Sequence, residues 1–357
     1  MYNFSTALAG IRAGEKLSRE MVMALLAAEG RQVSALFKAA DEVRRATVGD
    51  AVHLRAIIEF SNYCRQNCLY CGLRRDNCSL PRYRLTEAQI LAAVAEAAEL
   101  GFRTVVLQSG EDLYYSSLEI ARLIEKIKSR HDLAITLSLG ERCREDYRLW
   151  RQAGADRYLL KHETADADLF HYLKPDSRLS SRLQCASWLK ELGYQTGMGN
   201  MVGLPGQNLE TLATDVLLMR QMEVGMAGIG PFLPHPSTPL KDAAPGDLEL
   251  SLRTLAVTRL ALPYAHLPAT TALRSLSPEG LRLALSCGAN VIMLNLTPQS
   301  VRNKYLIYPQ KADMIEKPEA ALEKVKKLLA ELGRPLARGY GHAVKTGGGN
   351  SGANHES

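Results

Sequence analysis

Three cysteines, Cys64, Cys68 and Cys71, stand in a C-x3-C-x2-C spacing within Tyr63-Cys-Arg-Gln-Asn-Cys-Leu-Tyr-Cys-Gly-Leu-Arg-Arg-Asp76. A single loop can therefore point three thiolates at one centre. Three sulfurs leave a tetrahedral ion one ligand short, whereas an iron-sulfur cluster held by three cysteines keeps one iron open to an exogenous ligand. Two chemistries follow. A structural zinc site completed by Cys78 suits that metal's acceptance of all-sulfur shells. A cluster with an open iron suits Gly72 and the basic pair Arg74-Arg75, which fit a loop approaching an anionic ligand.

The elements that must position this loop follow from the hydrophobic pattern. From residue 52 onward short β-type runs alternate with longer helical ones, the signature of parallel βα units. Strands are expected at 52–60, 104–109, 134–139, 157–162, 195–202, 226–232, 265–271 and 290–295, with the cysteine loop at the C-terminal end of the first. Helices are expected at 86–100, opened by Thr86 with Gln89 three residues later, and at 117–130, 145–153, 179–192, after Pro205-Gly206, at 248–262 and at 278–286. Eight such units argue for an α/β fold closed as a complete (β/α)8 TIM barrel, whose chemistry sits at the C-terminal mouth of the strands. The expected division is an N-terminal helical extension at 1–48, the barrel at 49–310, a C-terminal helical segment at 311–340 and a Gly-rich disordered tail at 341–357. Ser18 is the expected cap of one helix in the extension, and Gly30 separates it from an amphipathic run at 33–43.

Bulk properties agree. The 357 residues are 46% hydrophobic and 23% charged, enough for one large core. A net charge of +6, spread along the chain, favours anionic small molecules weakly and gives no nucleic-acid footprint. Seven cysteines, three of them in a metal-type motif, read as reduced thiols rather than a disulfide framework. With neither an export signal nor an apolar run of about 20 residues, no membrane partner is expected and the cytoplasm is the expected location.

With Tyr70 directly before its last cysteine, the motif resembles that of the radical S-adenosylmethionine (SAM) superfamily. The resemblance implies a 4Fe-4S cluster on Cys64, Cys68 and Cys71 whose open iron chelates SAM, and a one-electron cleavage that releases a 5'-deoxyadenosyl radical. The strand ends then become the site list. Gly110-Glu111 matches the Gly-Glu stretch near the methionine amino group, the alternative being a helix-start acid favoured by the dipole. Strand alternation sends Lys161 and Glu163 to one side and His162 to the other. Glu163 can then accept from a SAM amino or ribose group while Arg182 forks the SAM carboxylate, and the bland alternative is a Glu163–Arg182 salt bridge. The glycines of 197–206 allow a flat purine close to the backbone. Four prolines between Pro231 and Pro239 fix a rigid crossing over the mouth, with Ile229 and nearby backbone meeting the adenosine.

Taken together, Ile58-Glu-Phe-Ser61, the cysteine loop, Leu107-Gln-Ser-Gly-Glu-Asp112, Arg157-Tyr-Leu-Leu-Lys-His-Glu-Thr164, Met201-Val-Gly-Leu-Pro-Gly-Gln207, Gly228-Ile-Gly-Pro-Phe-Leu-Pro-His-Pro236 and Pro268-Ala-Thr-Thr271 resemble the FeFe-hydrogenase maturase family HydE. Biotin synthase and methylornithine synthase are near relatives. The resemblance implies assembly of the hydrogenase diiron cluster, by radical attack on the sulfur of a cysteine-bound iron carbonyl-cyanide complex. It implies an electron donor of the ferredoxin or flavodoxin type and other hydrogenase maturases as partners. It places Tyr70, Gln108, Gly110, Glu111, Ser138, Glu163, Arg182, Met201 and Ile229 around the cofactor, and Lys161, Met226, Thr270, Thr271 and Tyr305 near the substrate. Two departures stand out. No cysteine follows Cys287, so the second iron-sulfur cluster of some members is not expected. Lys161 replaces an arginine, keeping the charge but losing the bidentate fork. Outside this family, methylornithine-synthase-like or biotin-synthase-like chemistry on an organic substrate is the nearest alternative, and a zinc-stapled assembly or binding protein the more distant one.

Overall fold

A computed structural model describes residues 2–309 and 316–344. Ten strands run in chain order: β1 His53–Ser61, β2 Thr104–Ser109, β3 Ala134–Ser138, β4 Arg157–Leu159, β5 Gln195–Met198, β6 Met201–Val202, β7 Met226–Ala227, β8 Gly230–Pro231, β9 Pro268–Ala269 and β10 Val291–Asn295. Eight of them form one sheet in the order β7-β5-β4-β3-β2-β1-β10-β9, with every neighbouring pair parallel. A bridge between Met226 and His266 draws the two ends together, His266 donating its N–H to the Gly225 carbonyl at 2.9 Å. The result is a nearly closed barrel whose strands read as apolar runs because helices cover their outer faces.

Local sequence explains most boundaries. Helix Glu87–Glu99 opens with a Thr86/Gln89 capping box, and helix Ser117–Arg130 with one from Ser116 and Glu119. The expected fifth and sixth strands each break in two, β5 from β6 and β7 from β8. At the break a side chain on Gly199 would lie 2.1 Å from the Gly228 carbonyl oxygen. The two backbones cross there, so β6 and β8 leave the barrel wall and pair as a separate parallel ribbon. Of the glycines at 197–206, Gly203, at φ +86°, abuts the Gly246 backbone in the same way. Three short helices were not expected, Ala167–Leu173 after β4, Thr271–Leu276 after β9 and Gln299–Arg302 after β10.

The N-terminal helices Arg19–Leu26, capped by Ser18, and Arg31–Val48 pack on the barrel's outer helices Leu209–Gln221 and Leu248–Ala261, and Phe4–Arg12 packs on Arg19–Leu26. Helix Pro318–Glu331 leads to a strap that closes the strands' N-terminal end. Val52 and residues 335–337 exchange backbone hydrogen bonds, and the Tyr340 carbonyl accepts from Arg157 and Thr104. Residues 341–344 belong to this strap rather than to a disordered tail. Gly341, at φ +63°, lies against the His53 ring, and Ala343 N–H donates to Gln195. The rest of the expected tail, including the Gly-rich stretch, lies outside the described residues.

Candidate active site at the barrel mouth

The cysteine loop leaves β1 at the barrel's C-terminal end and closes over a cavity of about 350 Å³ that runs down the barrel axis. Several contacts fix the loop. Leu69 N–H donates to the Leu173 carbonyl, Gly72 N–H to Ile307 and Arg75 N–H to Gln66. Gly72 has a reason beyond ligand access, since a Cβ there would meet the Leu306 carbonyl at 2.1 Å and the His235 ring at 2.6 Å. Arg75 faces away from the cavity and pins the loop through Asp76, Asp176 and the Arg65 carbonyl. The proline-rich segment crosses above the loop, and Leu240 N–H reaches the Leu69 carbonyl.

Cys64, Cys68 and Cys71 all line the cavity. Two donors approach their sulfurs from other elements: the Glu111 N–H lies 3.3 Å from Cys64 Sγ and Lys174 Nζ lies 3.4 Å from Cys68 Sγ. Such donors suit sulfurs that carry negative charge. Burial, then the neighbouring Cys68, pushes the Cys64 and Cys71 thiols up, so their ionisation requires an adjacent cation, which metal binding supplies. Among the described residues no three His, Cys, Asp or Glu side chains converge as one ion would require. The three cysteines share the cavity wall, and three ligand sulfurs suit an iron-sulfur cluster with one iron left open. Cys78 is exposed and does not line the cavity, so it does not close a four-cysteine staple.

Below the cysteines, β1, β2 and β3 present one register row, Glu59–Gln108–Ser138, whose members all line the cavity. Gly110 sits where a side chain would strike the Tyr63 carbonyl at 2.2 Å and Cys64 Cβ at 2.8 Å, so glycine is what lets the end of β2 meet the cysteine loop. Glu111 accepts from Gln66 at 2.6 Å and pairs with Arg182 at 3.1 Å and Arg65 at 3.3 Å. Burial opposes its charge, but Arg182, Lys174 and these bonds outweigh it and hold its carboxyl below the usual range. Arg182 also pairs with Glu141 at 3.1 Å and donates Nε to the Lys161 carbonyl. Burial lowers its pKa, and the two carboxylates more than reverse that. The direct Glu163–Arg182 bridge is not formed; Glu111 and Glu141 take the guanidinium instead.

Glu163 is one of two non-glycine residues at positive φ among those described, at +65°. Its backbone is held from both sides by Gly199 O and Met201 N. Backbone held in a sparsely populated region is a mark of functional sites. The expected strand 157–162 stops at Leu159, yet beyond its end Lys161 and Glu163 face the cavity 3.6 Å apart, while His162 is fully buried beside Asp215 at 3.5 Å. Burial disfavours the Glu163 carboxylate, but Lys161, Lys174 and Arg182 overcome this and depress its pKa.

Tyr70, Met201, Met226 and Tyr305 also line the cavity, as do Thr270 and Thr271 beside Gly228 and Gly230. Met226 Sδ accepts from Arg55 at 2.8 Å, and Thr270 Oγ1 donates to the Ile229 carbonyl at 3.2 Å. Ile229 differs from expectation. Its side chain is 1% exposed and packs in the barrel core, so only the backbone around it faces the cavity. Sequence reading missed Gln66, Glu141, Arg55 and Lys174. Gln66 stood in view between two ligands. Lys174 had no signal, since it follows a helix that was not expected.

Comparison with known proteins decides the family. A family model described as the radical SAM superfamily matches residues 58–219. The chain is 50% identical over 327 residues to the FeFe-hydrogenase maturase subunit HydE of Thermotoga maritima, covering 91% of this chain and 94% of that protein. The chain belongs to the HydE family of radical SAM enzymes. To 3-methylornithine synthase of Methanosarcina barkeri, HydE-type similarity drops to 29% identity over 80% of this chain and 82% of the relative. The crystal structure of the methylornithine synthase PylB superposes with a TM-score of 0.80 at 26% identity, covering 93% of this chain and 97% of that one. The HydE-family barrel is therefore the shared architecture, and the cysteine loop, Glu111, Glu163 and Arg182 gather at its mouth.

Proposed function

We propose that this protein is a radical SAM maturase that acts in assembling the diiron active-site cluster of FeFe-hydrogenase. The observation that carries this is the set of three cavity-facing cysteines at the mouth of a barrel whose cavity is lined by charged residues, in a chain half identical to a HydE subunit over nearly its full length. When bound, the cluster supplies one electron to SAM, breaking a sulfonium C–S bond to give methionine and a 5'-deoxyadenosyl radical. Cys64, Cys68 and Cys71 hold that cluster. Arg182 meets the SAM carboxylate, with Glu111 and Glu141 fixing the guanidinium's orientation. Glu163 accepts from a SAM amino or ribose group, and its pinned backbone keeps the carboxylate aimed inward. Met201, Tyr70, Gly110, Gln108, Ser138 and the backbone around Ile229 complete the cofactor layer.

Deeper in the barrel, Lys161, Met226, Thr270, Thr271 and Tyr305 bind the substrate, an iron complex carried by cysteine, and Lys161 meets its anionic groups as a point charge. The reading includes one cluster only, reduction by a ferredoxin- or flavodoxin-type donor, other maturases as partners and a cytoplasmic setting. No helix among the described residues is long and apolar enough to cross a membrane. Anaerobic reconstitution tests the reading. A brown protein with about four irons and sulfides that releases 5'-deoxyadenosine from SAM and restores hydrogenase maturation supports it; a colourless protein with one zinc refutes it.

A further inference from the structure

Lys174 has no part in the scheme above, yet its placement is specific. Helix Ala167–Leu173 ends at this residue, and the Leu173 carbonyl accepts from Leu69 N–H, so the helix end is stitched to the cysteine loop between Cys68 and Tyr70. The side chain passes beside the Phe170 ring and ends 3.4 Å from Cys68 Sγ. The residue is 4% exposed, and among the described residues no carboxylate pairs with it within 4.0 Å. A buried ammonium requires a nearby negative charge. The nearest partner the fold provides is a ligand sulfur, with the Glu111 and Glu163 carboxylates farther off.

We propose that Lys174 is a positioning residue for the cluster, its ammonium donating to the Cys68 sulfur and raising the cluster's reduction potential above what a neutral side chain would give. This rests on the cluster reading given above. The physical basis is charge. Reduction adds one negative charge to the cluster, and a buried cation hydrogen-bonded to a ligand sulfur stabilises that state more than the oxidised one. The helix end is anchored to Leu69, so the ammonium reaches Cys68 from a fixed backbone position.

The test compares the parent protein with Lys174→Met, Lys174→Gln and Lys174→Arg after anaerobic reconstitution. Iron and sulfide are counted, and the clusters are titrated with redox mediators and read by electron paramagnetic resonance without SAM. At the potential where the parent is half reduced, the reduced-to-oxidised ratio of Lys174→Met should fall about tenfold, which for one electron is about 59 mV. Lys174→Gln, a donor without the charge, should follow Lys174→Met, and Lys174→Arg should stay near the parent. An unmoved ratio in Lys174→Met at full iron content overturns the proposal, as does an equal fall in Lys174→Arg. Should Lys174→Met not hold its cluster, Lys174→Gln against Lys174→Arg decides in the same way. A parent that holds no cluster overturns the functional reading as well, whereas a loaded parent with unmoved variants overturns this inference alone.

Discussion

The two ends of the barrel both bury arginine, but they treat its charge differently. At the floor, Arg157 is fully buried and donates to the Tyr340 carbonyl at 2.6 Å, to Thr104 and to the His342 ring. Arg259 and Arg334 are likewise consumed by main-chain carbonyls, three or more each. At the mouth, Arg182 is set among carboxylates, Glu111 and Glu141, in the wall of an open cavity. A floor arginine completes the fold by satisfying chain ends, because a carbonyl cannot leave. A mouth arginine among side-chain carboxylates can re-pair with an entering ligand, because rotamers can turn where backbone cannot.

The comparison breaks first at the cysteines. Replacing any one of Cys64, Cys68 or Cys71 by alanine should abolish reductive SAM cleavage and cluster retention, measured as iron content and 5'-deoxyadenosine release, while the same change at Cys78, Cys143, Cys185 or Cys287 should leave both in place. Loss of the cluster in Cys78→Ala would return the four-cysteine site. At the floor, Arg157→Met strips charge-assisted bonds from the strap and should cost roughly 3 kcal/mol of stability in a denaturant titration, with SAM affinity of the surviving fold unchanged. A loss of SAM affinity there would erase the division between the two ends.

Acid should separate the ends by pH window. Burial, with Arg55 and Arg157 nearby, lowers His53 from 6.5 to about 4. The unfolded chain therefore takes up a proton near pH 6.5 while the folded one resists until about pH 4. Stability from this residue is fully present above pH 6.5 and declines by up to about 3 kcal/mol as pH falls through that interval. Glu111 and Glu163, whose pKa values are depressed, lose their contribution only below the ordinary carboxylate range. Melting temperatures at pH 7.5, 5.5 and 4 for the parent and His53→Gln should show the variant losing less between the first two.

The mouth itself should divide into layers. Arg182→Ala should weaken SAM binding by about 2–3 kcal/mol, a factor of roughly 30 to 150, in equilibrium binding to the reconstituted protein. Thr270→Val should have the smallest effect on SAM, leaving affinity and uncoupled cleavage nearly unchanged while hydrogenase maturation falls. A Thr270 variant that binds SAM as poorly as the Arg182 variant would merge the layers, and a fully active one would remove Thr270 from the substrate side.

What the sequence determined by itself was what depends on short-range pattern. Apolar runs and caps set the barrel strands β1 to β3 and the helices opened by Thr86 and Ser116. Reading 157–162 as a strand separated Lys161 and Glu163 from His162, although β4 ends at Leu159. The cysteine spacing marked the mouth. Only the tertiary structure decided the rest, because each remaining feature depends on what another segment brings close. Gly199 and Gly203 serve a backbone crossing because residues 228 and 246 lie against them. Ile229 is core because the ribbon turns it inward. Arg182 pairs with Glu111 and Glu141 rather than Glu163, since the loops after β2 and β3 converge on the helix Leu179–Glu191 that carries it. Residues 341 and 342 join the strap because the buried arginines Arg55 and Arg157 reach the Gly341 carbonyl and the His342 ring, contacts that the local sequence gives no reason to expect. Lys174 reaches Cys68 across 106 residues of chain. No local pattern records a contact of that separation, which exists only once the loop and the helix end have been packed together.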